Sequence, residues 1–315
     1  MQHHPHKRKH TLWRNTFIMN DAIIHEILRK AGIPDGRIKP LGGGKYNESH
    51  LVETGRDHFV LRIAPPDDVP QLFYEKRMMR SEPAVHQLMR NHTRVPVPEV
   101  VFHDFSQEIL DRDYILLSFM EGEPGSFDDA ELGRYTREMH EQIGSEFGYP
   151  DRFAPTGNSW PEIFNEYTRL IFEDCCSCGI LSRQEKEYFL QIYDIHFHTI
   201  HDCRPRFLHL DLWFQNILTK NGKITAILDF DRGLYGDPEL EFAVLDTYGY
   251  STPDFFKGYG KPRTDDKNSR IRQKLYMAYE LIKYAFIRYA RNGNYETGRM
   301  HVRQCWEILD IRLSA

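Results

Sequence analysis

Cysteine is scarce in this chain, five residues in 315. The number is odd and no framework spacing accompanies it. This excludes a disulfide-stapled secreted scaffold and predicts a reducing, cytoplasmic setting. Cys175, Cys176 and Cys178 cluster, but no second Cys or His pair stands at zinc spacing, so they read as buried helical thiols. Apolar runs long enough to cross a bilayer are missing as well. The basic opening stretch MQHHPHKRKHTLWRN lacks the apolar core of a secretory leader. Residues 1–19 therefore read as a polar arm, its four histidines mobile and not metal-binding. Internal repeats and low-complexity linkers are absent. The net charge of −5 calls for neither nucleic acid nor a membrane as partner. What remains, 40% hydrophobic and 28% charged residues, reads as soluble and globular. The length suits one two-lobed domain or two modest ones.

The informative stretch runs from Phe207 to Phe242, FLHLDLWFQNILTKNGKITAILDFDRGLYGDPELEF. Asp211 is followed five residues later by Asn216 and thirteen after that by Asp229. Between the last two the pattern is strand, turn, strand: Ile217 and Leu218, then Asn221-Gly222, a strong two-residue hairpin signal, then Ile224, Ala226, Ile227 and Leu228. Such a hairpin folds Asn216 back beside Asp229, with Asp211 on the loop before it. Two oxygen-bearing side chains then converge with a free carboxylate nearby. That donor set suits Mg²⁺, which binds through one or two carboxylates plus substrate phosphates.

The layout is similar to a kinase catalytic loop followed by a metal-binding Asp. More specifically, HLDLWFQN, LDFD and GDPELEFA resemble the aminoglycoside phosphotransferase and choline kinase family of small-molecule kinases. The resemblance covers residues 36–250. It implies an α+β, two-lobed protein-kinase-like fold, with a small β-rich N-terminal lobe (20–120) and a larger helical C-terminal lobe (121–315). It also implies ATP and Mg²⁺ as cofactors. Asp211 would orient and deprotonate the substrate hydroxyl, Asn216 and Asp229 would hold the metal, and His209 would be structural.

In the first part of the chain, Asn20 is placed to cap a helix over residues 21–31, and Gly32 and Pro34 stop it. Strands follow at 37–41, 49–53 and 58–63. Between the first two stands Gly42-Gly43-Gly44-Lys45-Tyr46-Asn47, where Gly43, Gly44 and Asn47 would cover phosphates. Arg62 stands where protein kinases carry a strand-borne lysine; it keeps the charge and gains a bidentate fork. A helix is expected over 71–91, kinked or restarted at Pro83, with Glu82 as the partner of Arg62 and Glu75 as the competitor. By resemblance, backbone groups of Ser118 and Met120 would hold adenine at a hinge. Helices are expected after Asp128, Trp160, Ser182 and Asp237, and over 265–289 and 295–313.

Residues 1–117 carry a balance of +2 and residues 118–315 one of −7, predicting that the second part meets a cation. The function expected is phosphoryl transfer to a hydroxyl of a small molecule, with an aminoglycoside or related antibiotic leading. A metabolite kinase acting on a sugar, choline or homoserine is the alternative. A nucleotide-binding scaffold without turnover is a further one, disfavoured because all three central polar positions are filled.

Only eight residues, Phe230 to Asp237, separate Asp229 from Pro238, which leaves no room for a protein-kinase activation loop. Protein made in a translation system free of kinases should therefore be fully active on its small substrate and inert on peptides. A rate that rises only after phosphate is added, followed by mass spectrometry, would contradict this.

Overall fold

The computed structural model describes residues 19–42, 46–150 and 154–309. Residues 1–18 of the expected arm, Gly43 and Gly44, and the last residues of the expected terminal helix lie outside the described residues. Helix α1 (Asp21–Lys30) starts where Asn20 accepts the Ala22 N–H at 2.9 Å. Its buried Ile24, Ile27 and Leu28 lie on one face, as the three-to-four residue spacing requires. That face covers Val52, Leu61, Ile63 and Leu116 of a sheet, and Met19 joins the same cluster.

The sheet comprises β1 (Arg37–Pro40), β2 (Glu48–Glu53), β3 (His58–Ile63), β4 (Val100–Asp104) and β5 (Tyr114–Ser118), in the order β1-β2-β3-β5-β4. Every neighbouring pair is antiparallel. β3 is thus central, and Arg62 projects from it with pairing on both sides.

The segment 71–91 shows the expected restart at Pro83, but residues 71–81 before it do not form the expected α-helix. The Leu72 N–H is taken by the Glu75 carboxylate at 2.8 Å, and the Phe73 N–H by Asp174 at 2.7 Å. Arg77 adopts a left-handed backbone (φ 56°), which an α-helix does not accommodate. A short 3₁₀ turn over Met78–Ser81 follows, and α2 (Glu82–His92) begins only at Glu82, with Pro83 in its first turn. The Ser81 hydroxyl bonds the Met78 carbonyl and does not cap the helix. Val85 and Met89 of α2 pack on Phe230, Ile227 and Leu212, so this helix rests on the second lobe although it precedes it in sequence.

The second lobe contains β6 (Glu123–Pro124), α3 (Asp129–His140), β7 (Phe147–Gly148), β8 (Thr156–Gly157), α4 (Trp160–Ser177) and α5 (Arg183–His196). Then come β9 (Arg206–Leu208), β10 (Ile217–Lys220), β11 (Lys223–Ile227), β12 (Leu234–Gly236), α6 (Pro238–Tyr248), α7 (Pro253–Tyr259), α8 (Lys267–Phe286) and α9 (Tyr295–Leu309). Asp128 and Ser182 cap α3 and α5, the latter in a reciprocal capping box with Glu185. Strands β10 and β11 form the expected hairpin, with Asn221 (φ 54°) and Gly222 (φ 72°) both left-handed at its turn. Beyond α8 the helix widens into a π turn over Ile287–Arg291, where the Asn292 N–H reaches the Ile287 carbonyl at 3.0 Å.

A buried hydrogen-bond chain fixes α6 to this core. Trp160 Nε1–H donates to the Tyr276 hydroxyl at 2.7 Å, which donates to Asp237 at 2.9 Å, while Asp237 caps α6 by accepting the Glu239 N–H at 3.0 Å. Removing the middle member leaves a buried indole N–H without its acceptor, at a cost of about 1–3 kcal/mol. Tyr276→Phe should lower stability in denaturant titration by about that amount. Trp160→Phe should then cost less in the Tyr276→Phe background than alone, since the two act through one chain. Strict additivity would refute the chain.

Candidate active site

The site lies between the sheet and β9–β12, in a cleft of about 460 Å³. Its floor starts at β9, which leads into His209, Leu210 and Asp211. Leu210 is left-handed (φ 58°) although it is not a glycine, a conformation that needs support from its surroundings. Glu241 of α6 supplies that support, accepting the N–H of His209 at 2.5 Å and of Leu210 at 3.0 Å. Burial alone would push the Glu241 carboxyl up, but His140, His209 and the Leu210 N–H outweigh it and hold the pKa below the usual range. The His209 imidazole bridges two backbones: Nε2 lies 2.9 Å from the Leu228 carbonyl and Nδ1 3.2 Å from the Asp211 N–H. The second contact makes Nδ1 the acceptor, so Nε2 carries the proton. Both ring nitrogens are thus engaged by backbone groups of the loop.

Asp211 and Asn216 meet through the asparagine amide, whose nitrogen donates to the Asp211 carbonyl and to its Oδ2, both at 2.9 Å. This leaves the Asn216 amide oxygen as the group it can offer a cation. The hairpin then returns the chain: the Leu228 N–H donates to the Asn216 carbonyl at 2.9 Å, and Asp229, left-handed at φ 68°, follows at once. Asp229 accepts from one arm of Arg62 at 2.5 Å, and Glu82 accepts from the other arm at 2.5 Å. Arg62 thus takes Glu82 as partner and not Glu75. Carboxylate oxygens of Glu82, Asp229 and Asp231 lie within 4.8 Å of one another. Burial opposes the Arg62 charge, but Asp229, Glu82 and Asp231 together hold its pKa above the ordinary value. In the same way burial would raise Asp229, and Arg62 and Arg232 pull it down. Asp231 is pushed well up by burial and by the charges of Asp229 and Glu82.

The remaining expected residues fall around the same cleft. Asn47 lines it and donates to Asp231 at 3.0 Å, tying the loop before β2 to the second lobe. Ser118 and Met120 line the end of the cleft next to the sheet. The Ser118 N–H is already committed to the Glu99 carbonyl at 2.8 Å, so a ligand there finds the carbonyl and not the N–H. The stretch from Phe230 to Asp237 forms a tight turn and β12, with Phe230, Asp231 and Leu234 buried.

Sequence reasoning missed a second set of charges. Arg232 reaches Asp211 at 3.4 Å and Glu75 at 3.6 Å, while Arg291 pairs with the other oxygen of Glu75 and stacks over Tyr46 at 4.4 Å. Burial works against the Arg232 charge, and Asp211, Tyr74, Glu75 and Asp231 hold its pKa well above the usual value. Asp231 and Arg232 stand two and three residues after Asp229, so their place in an otherwise apolar run was the available signal. Arg291 lies over two hundred residues from Glu75 and carried none. Among the described residues the cleft lining does not show the acidic face expected, although Glu75, Glu82 and Asp231 pair with its arginines from behind. That lining shows Arg62, Arg232, Arg288 and Arg291 against Asp211 and Asp229. The acidic side chains of the second lobe are engaged elsewhere, in caps such as Asp128 and Asp266 and in pairs such as Glu239 with Arg263.

A β-sheet lobe over a helical lobe, with this polar cluster between them, defines a protein-kinase-like phosphotransferase of small molecules. The chain belongs to the phosphotransferase enzyme family, whose model matches residues 37–261. It is similar to a protein of Lactiplantibacillus plantarum named "Probable ketoamine kinase", with 24% identity over 79% of this chain and 87% of that one. Among solved structures it resembles a "Putative fructosamine-3-kinase" from Haemophilus somnus (TM-score 0.69, 19% identity, 90% of this chain and 96% of that one). It also resembles the aminoglycoside phosphotransferase APH(4)-Ia with ADP and hygromycin B (TM-score 0.65, 15% identity, 92% and 99%). The chain is an ATP-dependent small-molecule kinase. Among the described residues no helix is long and apolar enough to cross a membrane.

Proposed function

We propose that this kinase phosphorylates a hydroxyl of a sugar-derived ketoamine, a metabolite acceptor and not an aminoglycoside. The observation that carries this reading is Arg288, the one arginine of the cleft lining that no carboxylate among the described residues matches, since Arg62, Arg232 and Arg291 are each ion-paired. A polycationic aminoglycoside would meet repulsion there, because charges in a partly desolvated cleft interact more strongly than in water. The rings of Trp213, Tyr248 and Tyr284, which also line the cleft, offer flat apolar faces for a sugar-like body. The name of the Lactiplantibacillus plantarum relative agrees with this acceptor.

Asp211 faces the acceptor and takes the hydroxyl proton as the phosphoryl group transfers; Asn216 and Arg232 hold its carboxylate in place. The Asn216 amide oxygen and the Asp229 carboxylate fit Mg²⁺ by donor chemistry, both being hard oxygens at the foot of one hairpin. Bound there with the nucleotide, the ion supplies positive charge to the phosphates. Arg62 holds Asp229 and Glu82 in register and adds its own charge on the phosphate side. Gly43, Gly44 and Asn47 cover the phosphates, and the Ser118 carbonyl and Met120 backbone take the adenine edge. Catalysis is then mainly positioning and charge stabilisation.

Two measurements test these assignments. Asp211→Asn should lower the rate at least a hundredfold, at the low end of what a general base contributes, yet leave Mg·ATP affinity in calorimetry unchanged. Asp229→Ala should weaken nucleotide binding as well, and equal losses in both variants would undo the division of roles. In an ADP-release assay, fructosyl and ribulosyl adducts of small amines should be turned over, and kanamycin and hygromycin B should not. Turnover of the antibiotics alone would reverse the reading.

A further inference from the structure

Each arginine of the cleft but one is matched by carboxylates. Arg62 has Glu82 and Asp229, Arg232 has Asp211 and Glu75, and Arg291 has Glu75. Arg288 is the exception: it lines the same cleft, half-buried, and has no carboxylate within ion-pair distance among the described residues. Its place in the fold is also specific. It stands in the π turn over Ile287–Arg291, and such widened turns recur at functional positions because they re-aim side chains from a helix. One helical turn earlier on the same wall stands Tyr284. Its hydroxyl meets that of Tyr248 at 3.1 Å, and Tyr248 stacks on Trp213 at 6.1 Å and 28°. Trp213 is two residues from Asp211. The aromatic series therefore links the neighbourhood of Asp211 to that of Arg288 along the cleft lining. Behind Arg288, α9 presents His301, whose ring packs beside Tyr284 at 6.1 Å, and this is no source of compensating charge.

Resting on the ketoamine reading, we infer that Arg288 is a specificity residue that binds an oxyanion carried by the acceptor, either a carboxylate on its amine part or a phosphate on its sugar part. An arginine fork matches both groups in a two-point contact. A guanidinium without a counter-charge, on the wall of a cleft, attracts such a group and has no internal partner to surrender when it binds. The aromatic wall would carry the body of the acceptor between its reacting hydroxyl at Asp211 and its anionic end at Arg288. This wall also gives the substrate class more sharply: an acceptor with net negative charge, longer than a bare sugar.

The test uses the full-length chain and two pairs of acceptors, followed by ADP release. The first pair is fructosylglycine and its amide; the second is ribulosylglycinamide with and without a 5-phosphate. In one of the pairs the anionic member should have a KM lower by roughly ten- to a hundredfold, the range of a charge-assisted hydrogen bond. Arg288→Met should erase that difference while leaving the KM for ATP and the kcat on the neutral member unchanged. Arg288→Lys, with charge but no fork, should retain part of it, and melting curves of both variants establish that they are folded. Which pair responds identifies the oxyanion. Equal KM values within both pairs, or an Arg288→Met variant whose KM rises for ATP instead, would overturn the assignment and leave the ketoamine reading standing. No turnover of any of the four acceptors would overturn that reading and this one with it.

Discussion

Three carboxylates, Glu82, Asp229 and Asp231, gather within 4.8 Å, and a mostly buried cluster of like charges holds together only around a counter-charge. Arg62 supplies it, and much of the architecture depends on its doing so. The guanidinium comes from the central strand of one lobe, one carboxylate from the first turn of α2, and two from the turn after the hairpin of the other lobe. Desolvating so many ions is costly, and removing one partner of such a group leaves the others uncompensated. The planar fork of arginine spans Glu82 and Asp229 at 2.5 Å each. A lysine ammonium at the same place is a point charge and could not bridge them in the same way. An arginine in place of the lysine of protein kinases is therefore a change in what the residue can hold together.

Around this centre the structure repeats one device: an ionised side chain fixes a backbone that would not otherwise keep its shape. Glu241 accepts two consecutive N–H groups beside the left-handed Leu210. Glu75 accepts the Leu72 N–H and is gripped by Arg291 and Arg232. Asp174 accepts the Phe73 N–H from a different helix. These contacts place Asp211 and the wall opposite it from elements far apart in the chain. They also explain why the region before α2 is irregular. Its backbone donors are satisfied by side chains, so a helix is not needed to satisfy them.

The charge of the cleft illustrates how poorly a sum over residues predicts a local field. Residues 118–315 have an acidic excess, and yet they give the cleft lining Arg232, Arg288 and Arg291 beside Asp211 and Asp229, with Arg288 unmatched by any carboxylate among the described residues. Acidic side chains at helix starts and in surface ion pairs are locally neutralised or face solvent, where screening limits their reach to about 10 Å. The arginines that line the cleft project inward from the π turn and from the turn before β12. Under the function proposed above, only that inner population bears on acceptor choice.

Short-range order was legible in the sequence because its causes are short-range. Asn20, Asp128, Ser182 and Asp237 cap the helices that follow them, and Asn221-Gly222 closes the hairpin that sets Asn216 beside Asp229. The spacing of Asp211, Asn216 and Asp229 sufficed to bring these three side chains to one cleft, since fewer than twenty residues and one turn connect them. The ion pair of Arg62 with Glu82 was legible only through the family resemblance. What the tertiary structure alone decided is the rest. Glu75 turns away from Arg62 to Arg291, 216 residues on, residues 71–81 lack the helix expected of them, and Arg288 has no carboxylate partner among the described residues. No local pattern encodes such pairings, because they depend on where two distant stretches of backbone come to rest, and that is fixed by how whole elements pack.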